Sequence, residues 1–156
     1  MTKWLGITKT YSIKILFALT LIGILSFLGM EFVLKMEPCK LCLMQRIPYY
    51  ASFIICILHF LKLIKWRFTV ILIFLCFLSA FFIAGFHLLV EEHIIGYSCL
   101  EISNATTIES LKNEIYNLKA NCSIPISIFG VRIVLLSLLY NLLISTYCIK
   151  IYKKSK

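Results

Sequence analysis

This chain reads as an all-α membrane protein, a four-transmembrane-helix bundle, and three observations carry that reading. Of its 156 residues, 61% are apolar and only 15% are charged. That is too little polar surface to cover a soluble domain of this size. The apolar residues gather in four long runs, and the lysines and arginines gather in short clusters beside those runs. A net charge of +9 would also suit a nucleic-acid binder. Basic clusters that flank apolar runs set membrane orientation, however, and do not form a phosphate-binding face, so no nucleic-acid partner is expected.

A helix needs about 20 apolar residues to cross the hydrocarbon core. The first run covers residues 15–34, between Lys14 and Lys35. It is long for the apolar part of a signal peptide and lacks a small-residue cleavage pattern after it, so it is expected to remain as a span. The second run, residues 47–61, is short. Its helix must begin earlier, near residues 39–43, and a span of about 43–61 then carries Arg46 to membrane depth. The third span covers residues 68–90. The fourth covers about 124–149 and has Arg132 inside it.

Lysine and arginine positions give a direction. The N-terminal tail has Lys3, Lys9 and Lys14, the loop after span two has Lys62, Lys65 and Arg67, and the C-terminal tail has Lys150, Lys153, Lys154 and Lys156. The long loop of residues 91–123 has Lys112 and Lys119 against Glu91, Glu92, Glu101, Glu109 and Glu114. The positive-inside rule places both tails in the cytoplasm and the loops of about 35–42 and 91–123 outside it. Lys35, Lys40 and Arg46 near the first outer loop weaken the asymmetry slightly. Within the long loop, Ile108, Leu111, Ile115 and Leu118 recur at helical spacing after a Thr106-x-x-Glu109 capping box. A short amphipathic helix is expected there, lying on the membrane surface or packed on the rest of the protein.

Seven cysteines divide by position. Cys56, Cys76 and Cys148 lie inside apolar runs and read as small packing residues. Cys39, Cys42, Cys99 and Cys122 lie at or between the runs, all on the non-cytoplasmic side, where disulfides persist. Cys39-Lys40-Leu41-Cys42 is a Cys-x-x-Cys motif, which serves either as a redox dithiol or as half of a metal site. Pro38 before it marks a helix start. The helix dipole and Arg46 would both favour thiolate there. Cys42 and Arg46, four residues apart, share a helix face. Pro48 leaves the Met44 carbonyl without its usual partner.

Cys99 and Cys122 enclose 22 residues of outer loop. They could form a structural staple, a second redox pair, or part of a four-cysteine zinc site. Their wide spacing and the oxidising side disfavour zinc, and no metal is expected. Taken together, a reactive dithiol at the lipid boundary, an arginine beside it and a second pair on the same side suggest a relay of two disulfides. Its electrons would leave through a lipid-soluble quinone.

The segment Pro38-Cys39-Lys40-Leu41-Cys42-Leu43-Met44-Gln45-Arg46, with its Cys-x-x-Cys-x-x-x-Arg spacing, resembles the bacterial disulfide bond formation protein B (DsbB) family. Four spans, the motif at the head of span two and the outer Cys99/Cys122 loop match as well, so the resemblance covers nearly the whole chain. It implies an inner-membrane protein-disulfide oxidoreductase that reoxidises a periplasmic DsbA-type thiol oxidase. Cys99 would form the mixed disulfide with that partner, and Cys122 would then attack Cys39. Cys42 would pass electrons to ubiquinone or menaquinone, with Arg46 against a quinone ring oxygen. No role is assigned to Glu91, Glu92 or His93.

Two alternatives remain. One is a vitamin K epoxide reductase-like protein, although that family carries its Cys-x-x-Cys in the last core span. The other is a non-enzymatic metal-binding membrane protein. His59 and His87 read as packing or interfacial residues. Glu31 is expected to snorkel or to pair with Lys35, and Arg132 to snorkel or to neutralise a carboxylate.

Overall fold

The computed structural model describes residues 2–35, 38–95, 127–128 and 130–154. The expected amphipathic helix, Cys99 and Cys122 lie outside the described residues. Four helices are long and apolar enough to cross a membrane. They are α1 (Thr2–Phe32), α2 (Lys40–Phe60), α3 (Trp66–Glu91) and α4 (Ile133–Lys154). Between α3 and α4 lies a small antiparallel hairpin of β1 (Ser127–Ile128) and β2 (Val131–Arg132). The α2 helix packs on both α1 and α3, and α4 packs on α3.

The second span reaches crossing length as its short apolar run requires, by starting at Lys40. The fourth departs from expectation. Its helix begins at Ile133, and Arg132 sits in β2 ahead of it. Gly130 explains the delay, because it holds φ +78° in the turn between the strands, a conformation that stops helix growth. Hydropathy alone cannot tell such a hairpin from the first turns of a helix.

The apolar core lies where α1, α2, α3 and α4 meet. Ile13, Leu16, Tyr49, Cys56, Ile73, Phe77, Ile144 and Cys148 are all buried in it. Cys56 and Cys148 therefore occupy packing positions, and Cys76 is half-buried. The centre of the core is Tyr49. Its ring meets Phe27 and Phe77 edge to face, and its hydroxyl donates to Asn141 Oδ1 at 2.7 Å. Gly23 lets α1 close on this ring, because a Cβ at Gly23 would stand 2.5 Å from Tyr49 Cε1. Gln45 and Ser137 extend the polar contact between α2 and α4 by a hydrogen bond. Buried hydrogen bonds of this kind fix helix register in a medium that offers polar groups no other partner.

At the other end of the bundle, His59 Nδ1 lies 3.0 Å from Thr69 Oγ1. This ties α2 to α3 across the short loop and gives His59 an interfacial packing role. The turn after α2 is a Schellman motif. Leu63 N–H bonds to Leu58 O, Lys62 N–H bonds to His59 O, and Lys62 takes the left-handed position with φ 60°. The same pattern ends α3, with His93 at φ 55°.

Candidate active site

The Cys-x-x-Cys motif forms the head of α2. Cys39 is the N-cap, and its sulfur accepts from the Cys42 backbone N–H at 3.3 Å. A helix start leaves its first N–H groups without intrahelical partners, and an N-cap side chain satisfies one of them at the third helical position. Here the two-residue spacing between the cysteines places the second at that position. The motif thus serves as helix cap and dithiol at once. The two sulfurs lie 3.0 Å apart, and both cysteines are free.

Cys39 is only 4% exposed. It packs with Leu41 and Val90, and Ile95 leans on the same cluster. The last turns of α3 therefore form the wall of the site. His87, 4% exposed, brings Nε2 to 3.7 Å from Cys39 Sγ. One turn further along, Glu91 Oε1 lies 3.8 Å from the same His87 nitrogen. The Cys39 thiol is held far below its ordinary range. The Cys42 side-chain hydrogen bond is the main cause, His87 and the Cys42 backbone N–H add to it, and burial opposes it. Reading the sequence missed this role for His87 and treated Glu91 as part of the outer loop. A signal was present, because Ile73, Phe77, Ala80, Ala84, His87 and Glu91 continue one buried stripe along α3 at helical spacing.

Arg46 lies one turn below Cys42 on α2. Its Nη1 donates to Glu31 Oε2 at 2.5 Å, and its side chain is 12% exposed. Glu31 therefore pairs across to Arg46 and not with the expected Lys35, which is exposed. The bridge joins α1 to α2 and neutralises a charge that would be costly at membrane depth. Arg46 Nε is buried with no hydrogen-bond partner among the described residues. Beside it, Leu43, Met44 and Ile47 are exposed on the outside of the bundle. A planar, oxygen-bearing lipophile that inserts beside this face would meet the Arg46 guanidinium, so these residues fit a quinone.

Arg132, expected inside span four, pairs from β2 with Glu92 just after α3. This contact closes the hairpin onto the end of α3 near the cysteines. Of the sequence-derived site residues, the structure thus brings Cys39 and Cys42 together and sets Arg46 on the same helix.

Comparison with known proteins places the chain in a family. A family model described as disulfide bond formation protein DsbB matches residues 9–151. The chain is 27% identical over 150 residues to an uncharacterized protein, RP370, of Rickettsia prowazekii (strain Madrid E), and the alignment covers 90% of this chain and 87% of that protein. No solved structure matches it.

Proposed function

The chain belongs to the DsbB family of disulfide bond formation proteins and is a multi-pass membrane thiol–disulfide oxidoreductase, and from that premise we propose that it reoxidises a periplasmic DsbA-type thiol oxidase at the expense of a membrane quinone. The observation that carries the proposal is a dithiol built into the head of a membrane-crossing helix, with Arg46 one turn into the bilayer.

The relay begins in the outer loop. A thiolate of the reduced partner attacks the Cys99–Cys122 disulfide at Cys99, and Cys122 leaves as a thiolate. The partner's second thiol then releases Cys99 and closes the partner's own disulfide. Cys122 attacks the Cys39–Cys42 disulfide at Cys39 and expels the Cys42 thiolate. Cys99 resolves that bond, which re-forms Cys99–Cys122 and leaves Cys39 and Cys42 reduced. Two electrons have then moved from the partner to the inner pair. Quinone, when bound, accepts two electrons and two protons.

This chain's residues prepare each end of the inner pair. The Cys42 backbone N–H and His87 hold negative charge on Cys39. Arg46 shares a helix face with Cys42 and would bind a ring oxygen through its guanidinium, stabilising negative charge that develops there. The Glu31 bridge orients the guanidinium for this task. Both chain ends and the 62–67 loop would be cytoplasmic in an inner membrane, and the four redox cysteines periplasmic.

The test is anaerobic. Purified protein is mixed with a reduced DsbA-type partner and quinone, and quinone absorbance is followed. One quinone should be consumed for each partner disulfide formed. Partner oxidation that requires oxygen, with quinone unchanged, would overturn the proposal.

A further inference from the structure

We propose that the reduced Cys39–Cys42 pair, with His87 and Glu91, is a binding site for a zinc-class divalent cation, and that the site exists only while the two sulfurs are unjoined. The sequence alone argued against a metal, because the two cysteine pairs have the wrong spacing for a four-cysteine site. The structure supplies different ligands.

Cys39 Sγ, Cys42 Sγ and a His87 nitrogen all lie within 4.8 Å of one another. The individual separations are 3.0 Å between sulfurs and 3.7 Å from Cys39 Sγ to His87 Nε2. With Zn–S near 2.3 Å and Zn–N near 2.0–2.1 Å, a tetrahedral site needs roughly 3.8 Å between sulfurs and roughly 3.5 Å between sulfur and nitrogen. The Cys39–His87 distance already fits. The sulfurs must part by less than an ångström, and half-buried Cys42 has room to turn. Glu91 Oε1 lies beside these three ligands, 3.8 Å from His87 Nε2, and takes the fourth position only if its side chain turns toward the sulfurs.

A second, independent observation points to a ligand. Both His87 and Glu91 are more than nine-tenths buried, yet His87 Nδ1 and Glu91 Oε2 have no hydrogen-bond partner among the described residues. Each side chain thus keeps one unsatisfied polar atom in the same buried site, which is costly to maintain. A cation bound among the four groups would compensate the Glu91 charge and fix the imidazole. Two thiolates and an imidazole select a borderline-soft metal, whereas calcium and magnesium prefer oxygen.

Redox control follows from the ligand chemistry. Metal binding needs thiolates, so it displaces any thiol proton and leaves the cation's oxidation state unchanged. Forming the disulfide removes two electrons and both thiolate ligands. Bound cation and oxidised pair therefore exclude each other. Where the relay proposed above operates, zinc would hold the inner pair reduced and stop turnover. The binding site itself does not depend on that relay.

The test uses the full chain in detergent, without partner or quinone, so its outcome is independent of the relay. Zn2+ is titrated against a chromophoric chelator, and Co2+ reports the ligand set by its thiolate charge-transfer band. Reduced Cys99→Ser/Cys122→Ser protein should take up one equivalent and show that band. The same protein with Cys39–Cys42 oxidised should take up none. His87→Ala should bind at least tenfold more weakly. Equal binding by the oxidised and reduced forms, which needs no site variant, would overturn the proposal. So would unchanged affinity in folded His87→Ala, which would reduce the site to a simple dithiol.

Discussion

Cys39 Sγ and His87 Nε2 meet at 3.7 Å across 48 residues of chain, joining the head of α2 to the last turns of α3. The contact gives each sulfur of the motif its own basic neighbour. His87 serves Cys39 from across the bundle, and Arg46 faces Cys42 from one turn below.

This division sets a pH dependence. An ordinary cysteine loses thiolate about tenfold per pH unit below its pKa near 8.5. Cys39 is depressed, so its thiolate is present well below that value and is lost only as pH falls through the lowered pKa. Alkylation of reduced Cys39, measured by mass spectrometry with chelator present, should be nearly flat from pH 8 down to about pH 6. His87→Gln should move the loss of thiolate to higher pH, by less than the full shift because the Cys42 hydrogen bond, its main cause, remains. A tenfold fall per unit in the wild-type protein would contradict the assignment.

Arg46 separates anchoring from snorkelling. Arg46→Lys should insert and exchange disulfides with the partner, but with a raised Michaelis constant for quinone, because lysine lacks the planar fork. Arg46→Ala should be worse. Glu31→Ala should raise the same constant by a smaller factor, since it frees the guanidinium without removing it. Wild-type quinone kinetics in folded Arg46→Ala would leave the proposed quinone site without its anchor.

In the outer loop, Cys122→Ser removes the thiolate that attacks Cys39. Cys99 is then a free thiol and should attack the disulfide of the oxidised partner, giving a mixed disulfide that acid quenching and alkylation trap and a non-reducing gel shows. If Cys99→Ser traps the complex and Cys122→Ser does not, the two roles are exchanged.

Gly23→Ala should destabilise the bundle by about 1–3 kcal/mol, because the new methyl meets a Tyr49 ring that Asn141 holds in place. Thermal unfolding in detergent measures this. A neutral result would mean that α1 moves away from α2 freely.

Lys62→Gly should stabilise the protein by about 1 kcal/mol, because a non-glycine residue there holds a left-handed conformation. Activity should be unchanged, since the turn lies at the opposite end of α2 from the cysteines. A lower melting temperature would show that the Lys62 side chain makes a contact worth more than the backbone relief.

Much of this architecture was legible in the residues. Long apolar runs mark helical spans because a helix satisfies every backbone group within the segment, and the shared helix face of Cys42 and Arg46 follows from helical periodicity alone. Pairings between helices were not legible. Glu31 had Lys35 nearby in sequence, and only packing of α1 on α2 brings it to Arg46. His87 had no neighbour in sequence to mark it, and its meaning depends on which residue faces it across the bundle. The late start of α4 was hidden because Val131 and the isoleucines around Gly130 are equally apolar in strand and helix.

The N-cap role of Cys39 has an electrochemical consequence. The α2 N–H and His87 bind the sulfur most strongly as an anion, and that anion exists only in the reduced pair. Every such contact therefore favours the dithiol over the disulfide and makes the disulfide a stronger oxidant. For a two-electron couple, each 1.4 kcal/mol of preferential thiolate stabilisation raises the midpoint potential by about 30 mV. The same hydrogen bond that starts the helix thus pulls electrons toward the lipid end of the chain, and the oxidising power of the pair is tied to the folded state of α2.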